Sequence, residues 1–362
     1  MQSVSEERVR ALVNETADAW AGASISSAGI IRGVGVDGDR VAVQLRLGYP
    51  VGAAEQELAE RVRAVLLAEE DIAGAVVEVD SKVHAHAVQG ELTPHAGIRN
   101  IIAVASGKGG VGKSSTAVNL ALALAADGAR VGILDADIYG PSIPRMLGVS
   151  GKPETDGKRI FPHTAHGLKV MSMGFLVEEE TAMIWRGPMV TSALQQMLGE
   201  SDWGELDYLV IDLPPGTGDI QLTLVQKIPV AGAVIVTTPQ DIALLDARRA
   251  LQMFRKLDVA VLGVVENMST HVCSQCGHEE PIFGSGGGAR MAADYEIPLL
   301  GQLPLALRIR EDLEAGRPTV VADPDGEIAA SYRSFARRTG AALSLRPRNT
   351  RLDMPQIKIQ DR

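Results

Sequence analysis

Residues 101–115 read IIAVASGKGGVGKSS, a short apolar run that leads directly into a glycine-rich loop. Gly107 to Ser114 fit the pattern G-x-x-x-x-G-K-[ST], and the Ala- and Leu-rich stretch that follows predicts a helix ending at Asp127 and Gly128. In a strand, loop and helix of this kind, main-chain N–H groups and the helix N-terminus surround phosphate oxygens. The stretch therefore predicts a phosphate-binding loop in an α/β fold.

Two lysines in this loop predict different tasks. Lys113 is expected to contact the β- and γ-phosphates of a nucleotide, and Ser114 a magnesium ion. Lys108 cannot easily fold back onto the phosphates of its own subunit, so it is predicted to reach a neighbouring subunit and neutralise charge on the transferring phosphoryl group. A solvated surface lysine is the alternative for Lys108. The residues expected to line the phosphates are Gly107, Lys108, Gly109, Gly110, Val111, Gly112, Lys113 and Ser114.

Two acidic segments supply carboxylates for the same site. ILDADIYGPS carries Asp135 and Asp137, and YLVIDLPPGTGD carries Asp212 and Asp219. A metal-bound triphosphate needs carboxylates at the carboxyl ends of neighbouring strands. Asp212 is predicted to associate with magnesium and Asp137 to orient the attacking water. Asp135 and Asp219 fit equally well as helix caps or ion-pair partners.

Apolar strands alternate with helices after residue 98, a pattern typical of a mostly parallel, doubly wound sheet. Their Val, Ile and Leu content predicts a sheet covered by helices on both faces. We therefore expect an α/β phosphate-loop NTPase sheet with a small N-terminal α/β domain. The candidate strands are Ile101 to Ala105, Val131 to Asp135, Tyr208 to Asp212, Ala233 to Thr237 and Val261 to Val265.

The first 90 residues predict that small domain, in the order helix, strand, strand, helix, strand. The predicted elements are Glu6 to Trp20, Ile30 to Val36, Val41 to Leu47, Glu55 to Leu67 and Ala75 to Val79. Gly and Pro residues then mark residues 91–98 as a linker, with the larger domain over 99–343. The polar tail, 344–362, is expected to fray.

Composition bounds the partners of the chain. Its 362 residues are 46% apolar, and 35 Lys and Arg against 45 Asp and Glu give a net charge of −10. This balance argues against a dedicated nucleic-acid or anionic-membrane surface. The sequence has no apolar run of the ~18 residues that span a membrane and no signal peptide, so a cytoplasmic protein is expected.

The two cysteines, Cys273 and Cys276, are spaced as a chelating pair. A redox pair is disfavoured, because a reactive thiol needs a helix N-terminus that Gly277 and Pro281 oppose. A zinc site would need His271 and His278 as well, in a tight knuckle. The third possibility is an iron–sulfur cluster bound by two cysteines from each of two subunits. The glycine-rich segment 284–288 is expected to give hinge freedom beside the pair.

Seven motifs occur in order between Arg99 and Leu343: GKGGVGKSS, DADIYGPSIPRMLG, WRGPM, DLPPGTGD, TTPQD, ENMS and CSQCG. In these motifs the chain resembles the Mrp/ApbC iron–sulfur cluster carrier proteins. They are deviant phosphate-loop ATPases, a group that includes MinD, ParA and the nitrogenase iron protein. The resemblance implies a homodimer that binds ATP, Mg²⁺ and a [4Fe-4S] cluster, hydrolyses ATP, and works with assembly scaffolds and apo iron–sulfur proteins.

The resemblance also implies residue roles. Lys108 resembles the family's signature lysine, Asp137 its switch carboxylate, Asp212 its magnesium-associated aspartate and Asn267 its adenine contact, while Cys273 and Cys276 resemble the cluster ligands. The N-terminal module is similar to a domain of iron–sulfur assembly. It lacks the cysteine common in the loop after the second strand, which here reads LGYPVGAAEQ, and the acidic Asp-Pro-Glu signature is missing from AWAGASISSAG. A docking or regulatory role is therefore expected for it.

Two other functions are compatible with a phosphate loop, but the sequence favours them less than the carrier. A MinD- or ParA-like positioning ATPase would need an amphipathic C-terminal helix or a basic surface, and the tail, interrupted by Pro355, offers neither clearly. A reductase like the nitrogenase iron protein would have ligand cysteines far apart in sequence. The adjacent pair therefore favours the carrier.

Overall fold

The structure is a computed structural model of the 362-residue chain and describes residues 4–22, 25, 31–175, 187–273 and 275–349. Five features of the sequence predictions lie at least partly outside these ranges. They are the end of the polar tail (350–362), Trp185 and Arg186 of the WRGPM motif, Ser274 of the CSQCG motif, Ile30 at the start of a predicted strand, and most of the AWAGASISSAG loop.

The N-terminal part is a three-stranded sheet with two helices packed against it. Its elements are α1 (Glu6–Glu15), β1 (Ile31–Asp37), β2 (Arg40–Leu47), α2 (Ala54–Leu67) and β3 (Gly74–Ser81). β1 and β2 form an antiparallel hairpin, and β3 pairs parallel to β2. The predicted order of helices and strands is confirmed.

Helix α1 ends at Glu15 rather than at the predicted Trp20, because Asp18 forms a turn there. Its carboxylate accepts the main-chain N–H groups of Trp20 at 2.9 Å and Ala21 at 3.1 Å, and the hydroxyl of Tyr49 at 2.7 Å. An aspartate that binds nearby main-chain groups competes with the helix for them. The prediction of a helix up to Trp20 was therefore wrong at its end.

The larger part is an eight-stranded sheet in the order β15-β12-β11-β4-β10-β5-β9-β8, parallel except for β8 at one edge. In chain order its elements are β4 (Ile98–Ser106), α3 (Lys113–Ala126), β5 (Val131–Asp135), α4 (Ile143–Met146), β6 (Glu154–Thr155), β7 (Ile160–Phe161), β8 (His163–Ala165), β9 (Leu168–Ser172), α5 (Gly187–Glu200), β10 (Leu206–Asp212), α6 (Asp219–Lys227), β11 (Gly232–Thr237), α7 (Asp241–Lys256), β12 (Val261–Glu266), β13 (His271–Val272), β14 (Glu279–Glu280), α8 (Gly287–Asp294), β15 (Leu299–Gln302), α9 (Leu307–Glu314), α10 (Thr319–Ala322) and α11 (Glu327–Ser344).

Helices cover both faces of this sheet, as the continuous apolar strands predicted. On β4, Ile102 and Val104 pack with α3 and α11, whereas Ile101 and Ala103 pack with α5, α6 and α7. The doubly wound α/β fold is confirmed, and each of the five predicted strands is present. None of the described helices is long and apolar enough to cross a membrane.

Three strands of the sheet were not predicted, β8, β9 and β15. All three are short, and β9 and β15 carry residues that weaken a strand pattern, such as Lys169 and Gly301. β9 and β15 are parallel to β5 and β12, so these partners are distant in sequence. Short strands of this kind are specified by tertiary pairing more than by local composition.

The segment between the two sheets packs tightly on the larger one. The Gln89 side-chain amide donates to the carbonyls of Val225 at 2.7 Å and Ile228 at 2.6 Å, and its oxygen accepts the N–H of Val230 at 2.8 Å. His86 is 2% exposed, and its ring and main chain bind the Asn100 side chain. Residues 86–89 are therefore part of the larger packed unit.

The start of the C-terminal tail is held by this same segment. Ala87 donates its N–H to the carbonyl of Pro347, and Asn349 donates to Ala85, both at 2.9 Å. The prediction that the tail frays from residue 344 was therefore wrong for residues up to 349. Local composition did not reveal the distant partner that satisfies the main chain there.

Candidate functional site

The phosphate loop joins β4 to α3 at the carboxyl edge of the large sheet, and its glycines are set by neighbouring backbone. A Cβ on Gly107 would lie 2.1 Å from the main chain of Asp246 in α7. Gly112 adopts φ +79°, and a Cβ there would lie 2.2 Å from Asn267 Nδ2. No larger residue fits these two positions without moving the loop.

Lys113 lies in the buried centre of this edge. Its Nζ donates to Asp212 Oδ1 at 2.6 Å and lies 3.4 Å from Ser114 Oγ and 3.9 Å from Asp137 Oδ2. Lys113 is 6% exposed and Asp212 is fully buried. The fold thus brings together four residues that sequence reasoning proposed from three separate segments.

Lys108 stands apart from this cluster. Its carbonyl accepts the Ser106 hydroxyl at 2.9 Å, while its side chain is half-buried. Among the described residues, no carboxylate oxygen lies within ion-pair distance of its ammonium group. The two loop lysines therefore differ in environment, since among the described residues Lys113 has carboxylate partners and Lys108 has none.

Asp135 holds the loop that carries Asp137. Its carboxylate accepts the N–H groups of Asp137 and Ile143 and the hydroxyl of Ser172, each at 3.1 Å. Burial, together with the nearby charge of Asp212, raises the pKa of Asp135 to about 7. Because its carboxylate accepts main-chain N–H groups of this loop, the geometry favours a structural role for Asp135 over a role among the carboxylates of the nucleotide site.

The residues around Lys113 suit a magnesium ion, which prefers oxygen ligands. Asp212 Oδ2 is buried and has no hydrogen-bond partner among the described residues. Burial raises the pKa of Asp212, and the adjacent Lys113 charge opposes that shift. A buried carboxylate oxygen without a donor, close to the Ser114 hydroxyl of the loop, fits a cation that would take both as ligands.

A cavity of about 420 Å³ opens beside the loop, lined by Gly112, Asn267, Met268 and Leu305 among others. The Asn267 amide donates to the carbonyl of Val111 at 2.9 Å, which fixes the side chain at the end of β12. The volume falls in the range of ~300–1,000 Å³ typical of small-molecule pockets. Asn267 therefore lies where a group attached to loop-bound phosphates could extend.

A second cavity, of about 430 Å³, is lined by Asp137, Tyr139, Asp219 and Gln221. Gln221 is 2% exposed, yet neither polar atom of its amide has a hydrogen-bond partner among the described residues. Sequence reasoning missed this residue. The only available signal was its position three residues into the helix that follows DLPPGTG.

Cys273 and Cys276 lie in the turn of the β13–β14 ribbon. The Cys273 N–H donates to the His278 carbonyl, and the Gly277 N–H donates to the Cys273 carbonyl, both at 2.9 Å. Main-chain N–H groups of Gln275 and Cys276 lower the pKa of the Cys273 thiol, as does the Cys276 side chain. Cys276 is exposed. The turn thus favours thiolate, the form that binds metals.

His271 does not join the cysteines. Its Nδ1 donates to the carbonyl of Leu305 at 3.1 Å. Across residues 4–22, 25, 31–175, 187–273 and 275–349, no three His, Cys, Asp or Glu side chains are grouped closely enough to hold a metal ion. The single-chain zinc knuckle built from both histidines is therefore not formed by these residues, which disfavours that alternative.

The glycine-rich segment 284–288 is closely packed at its C-terminal end, at Gly287 and Gly288, and does not form a hinge there. Gly288 donates its N–H to Glu266 Oε2 at 2.5 Å, and a Cβ on Gly287 would lie 2.7 Å from the carbonyl of Pro239. Glu266 also accepts the Gln302 amide at 2.9 Å. The hinge interpretation is therefore wrong for Gly287 and Gly288, where a carboxylate and a neighbouring backbone fix the start of α8.

Several exposed apolar side chains surround these sites. Ile242 and Leu245 are 70% and 55% exposed on the turn of α7 that contacts the phosphate loop. Val272 and Ile282 are exposed on the cysteine ribbon and just beyond it. Apolar surface grouped near a functional site marks an interaction surface more often than a solvated one.

Two family profiles match the chain. Residues 6–80 match "Iron-sulfur cluster assembly protein", and residues 97–339 match "NUBPL iron-transfer P-loop NTPase". The chain belongs to the NUBPL iron-transfer P-loop NTPase family. The resemblance seen in the sequence motifs is thereby confirmed, as is the likeness of the N-terminal module to iron–sulfur assembly domains.

Three known proteins show how far this family likeness extends. The iron–sulfur cluster carrier protein of Escherichia coli K12 is 63% identical over 249 residues, 68% of each chain. That of Deinococcus radiodurans is 47% identical over 322 residues, 88% of this chain and 90% of its own. A solved nucleotide-binding protein from Archaeoglobus fulgidus, in complex with ADP, is 39% identical with a TM-score of 0.57, covering 64% of this chain and 91% of that one. The chain is thus an iron–sulfur carrier-family protein with a nucleotide-binding fold.

Proposed function

We propose that this protein is an ATP-hydrolysing carrier that binds a [4Fe-4S] cluster at a homodimer interface and transfers it to apo iron–sulfur proteins in the cytoplasm. One observation carries the proposal: two thiols, exposed at Cys276 and half-buried at Cys273, lie on a ribbon that four residues, 267–270, connect to the strand end bordering the phosphate loop. Assembly scaffolds would load the cluster, which is cargo rather than a resident cofactor.

The nucleotide would bind with its phosphates in the loop and its base in the cavity beside Asn267. Ser114 and Asp212 would hold Mg²⁺, which supplies charge neutralisation for the phosphates. Lys113 would then exchange part of its contact with Asp212 for β- and γ-phosphate oxygens. The ADP complex of the Archaeoglobus relative supports nucleotide binding by this fold.

Hydrolysis requires a water molecule in line with the γ-phosphorus, where its oxygen forms a bond as the bond to the ADP oxygen breaks. Asp137 lines the second cavity, and its Oδ2 lies 3.9 Å from Lys113 Nζ. It would orient this water. Lys108 would come from the partner subunit, since its ammonium group has no carboxylate partner among the described residues of its own chain. The exposed Ile242 and Leu245 supply apolar surface for that interface.

The cluster would take Cys273 and Cys276 from each of two subunits, which gives the four thiolates of a [4Fe-4S] centre. The lowered pKa of Cys273 favours ligation. A cluster held at an exposed turn and shared between chains is released when either chain withdraws. This arrangement suits transfer better than storage.

The structure offers a short connection between nucleotide and cargo. Asn267 lies next to the base cavity, and the chain then runs beside residues 303–305, with the Ser269 N–H donating to Leu303 at 3.0 Å and His271 bound to Leu305. Leu305 lines the cavity, and Cys273 follows two residues after His271. We therefore infer that a nucleotide base bound in the cavity beside Asn267 shifts residues 303–305, to which the cysteine ribbon is hydrogen-bonded.

Anaerobic reconstitution with iron and sulfide tests the proposal, comparing the wild type with Cys273→Ser by absorption spectroscopy, iron and sulfide counts, and sizing. About two irons and two sulfides per monomer in a dimer, lost in the variant, is the expected result. Bound zinc without sulfide would instead favour a MinD- or ParA-like positioning switch with a structural zinc site.

A further inference from the structure

A small basic cavity lies where the N-terminal sheet meets the C-terminal end of the chain, far from the sites above in sequence. Its volume is about 100 Å³, and it is lined by Arg32, Arg46, Lys82, His84 and Arg348 beside Gly48. The cations come from β1, β2, the segment after β3 and the segment after α11. We call it the junction cavity.

Among the described residues, one carboxylate faces most of the positive charge in the junction cavity. Arg46 binds Asp80, with Nε 2.8 Å from Oδ1, which lowers the pKa of Asp80, and the charge of Arg32 also lowers it. Within the described part of the chain, no carboxylate oxygen lies within 4.0 Å of a side-chain nitrogen of Arg32, Lys82 or Arg348. The chain as a whole carries a net charge of −10, so four Arg and Lys side chains beside a single carboxylate run against its composition.

Two features of the backbone bring these cations together. Ile31 pairs with Leu45 and Gly33 with Gln44, so Arg32 is the extra residue of a β-bulge, which changes the direction of its side chain. Arg348 is fixed by the pairing of residues 85–87 with 347–349, through hydrogen bonds of 2.9 Å. The cavity is therefore built by both parts of the protein.

We propose that the junction cavity binds a single carboxylate or phosphate group, supplied by an acidic segment of a partner protein that docks across both parts of the chain. Its volume suits one such group and is about a quarter of the volume of the cavity beside Asn267. Arg32, Lys82 and Arg348 are exposed, so a side chain of another protein can reach them. Arginine donors arranged around a small cavity match the geometry of an anionic oxygen pair.

Binding of a fluorescently labelled hexaglutamate peptide to the full-length chain tests this proposal, measured by anisotropy at low salt. Lys82→Glu and Arg348→Glu together should weaken binding at least tenfold. Arg348→Glu alone should also weaken binding, and Arg63→Glu, the same single charge reversal on exposed α2, is its matched control and should change affinity less than about twofold. Lys82→Met removes one charge without reversal, and circular dichroism checks that every variant folds.

Competition separates the two sources of the anion. Weak displacement of the peptide by millimolar inorganic phosphate is expected for a protein partner. Phosphate that displaces the peptide fully, and loses its own binding in Arg348→Glu, would overturn the protein partner in favour of a free oxyanion. Equal losses in Arg63→Glu and Arg348→Glu, or no peptide binding by the wild type, would overturn the anion site.

Discussion

The phosphate loop and the cysteine ribbon differ in how deeply their functional side chains are buried and in how many of the required groups one chain supplies. Lys113 is 6% exposed, lies 2.6 Å from a fully buried carboxylate, and is surrounded by elements of one chain. Cys276 is exposed in a ribbon whose strands have two residues each, and only two thiols meet there. A site that must hold highly charged phosphates gains from preorganised, buried groups. A site that must release its cargo gains from exposure.

Lys113→Ala tests the buried site and should have the largest effect. Removal of one partner of a buried ion pair costs about 3–5 kcal/mol and leaves Asp212 uncompensated. We expect ATP hydrolysis to fall more than about 100-fold and nucleotide binding to be lost. Isothermal titration with ADP and a phosphate-release assay measure both. Lys108→Ala is the control: it should lose hydrolysis but keep nucleotide binding, and loss of both would place Lys108 within its own subunit's site.

Cys273→Ser tests the exposed site and should separate it from the first. The variant should lose reconstituted iron and sulfide, while hydrolysis without cargo stays within about twofold of the wild type, since the two sites share no side chain. Iron analysis and phosphate release are measured on the same preparations. If Cys273→Ser lost hydrolysis and retained iron, the assignment of two separate sites would be wrong.

Two truncations test how much the segment before the large sheet stabilises the fold. Deletion of residues 1–90 removes the three hydrogen bonds of Gln89, each of about 1 kcal/mol, together with those of residues 85–87 to Asn100 and to 347–349, whereas deletion of 1–81 keeps them. We therefore expect the longer deletion to be less stable by more than about 3 kcal/mol in urea unfolding.

Gln89→Ala in the full-length chain is the control for these truncations, and it should lose only the share of stability that the three Gln89 hydrogen bonds supply, about 3 kcal/mol. Equal stability of the two truncated proteins would show that this buried segment contributes little.

His271→Ala tests the connection between the sites. The variant loses the hydrogen bond to Leu305 in the wall of the cavity beside Asn267. The ratio of the ADP affinities with and without bound cargo should therefore move about fivefold closer to one. ADP titrations with and without reconstituted cargo measure this ratio. His278→Ala changes the other histidine near the pair, which is exposed, and should leave the ratio unchanged. The same loss in both variants would count against a route through residues 303–305.

The last test concerns the pH dependence of stability. The folded chain keeps a proton on Asp135 up to about pH 7, whereas an unfolded aspartate releases it near pH 3.8. Between these values the folded chain binds more protons, so its free energy of unfolding falls as pH rises. Urea unfolding from pH 5 to pH 8 should show this decline, and Asp135→Asn should flatten it. An unchanged slope in the variant would assign the decline to other groups.

Much of the phosphate site could be predicted because its residues lie in local patterns. The spacing from Gly107 to Ser114 requires a strand, a loop and a helix, and carboxylates that end parallel strands meet at one edge. Asp212 and Lys113 meet there at 2.6 Å. The positions of Gln221 and Glu266 were not predicted, because a single buried amide or carboxylate has no periodic signal.

The sequence by itself determined the doubly wound sheet, the phosphate loop, the chelating spacing of the cysteines and the family. Each of these depends on short-range geometry: the repeat of apolar residues, the backbone freedom of glycine, or the distance across a turn. Tertiary structure alone decided the bond of His271 to Leu305, the burial of Gln89 and the cations of the junction cavity. These contacts join residues tens to hundreds of positions apart, and long-range packing selects them only after the local elements have formed.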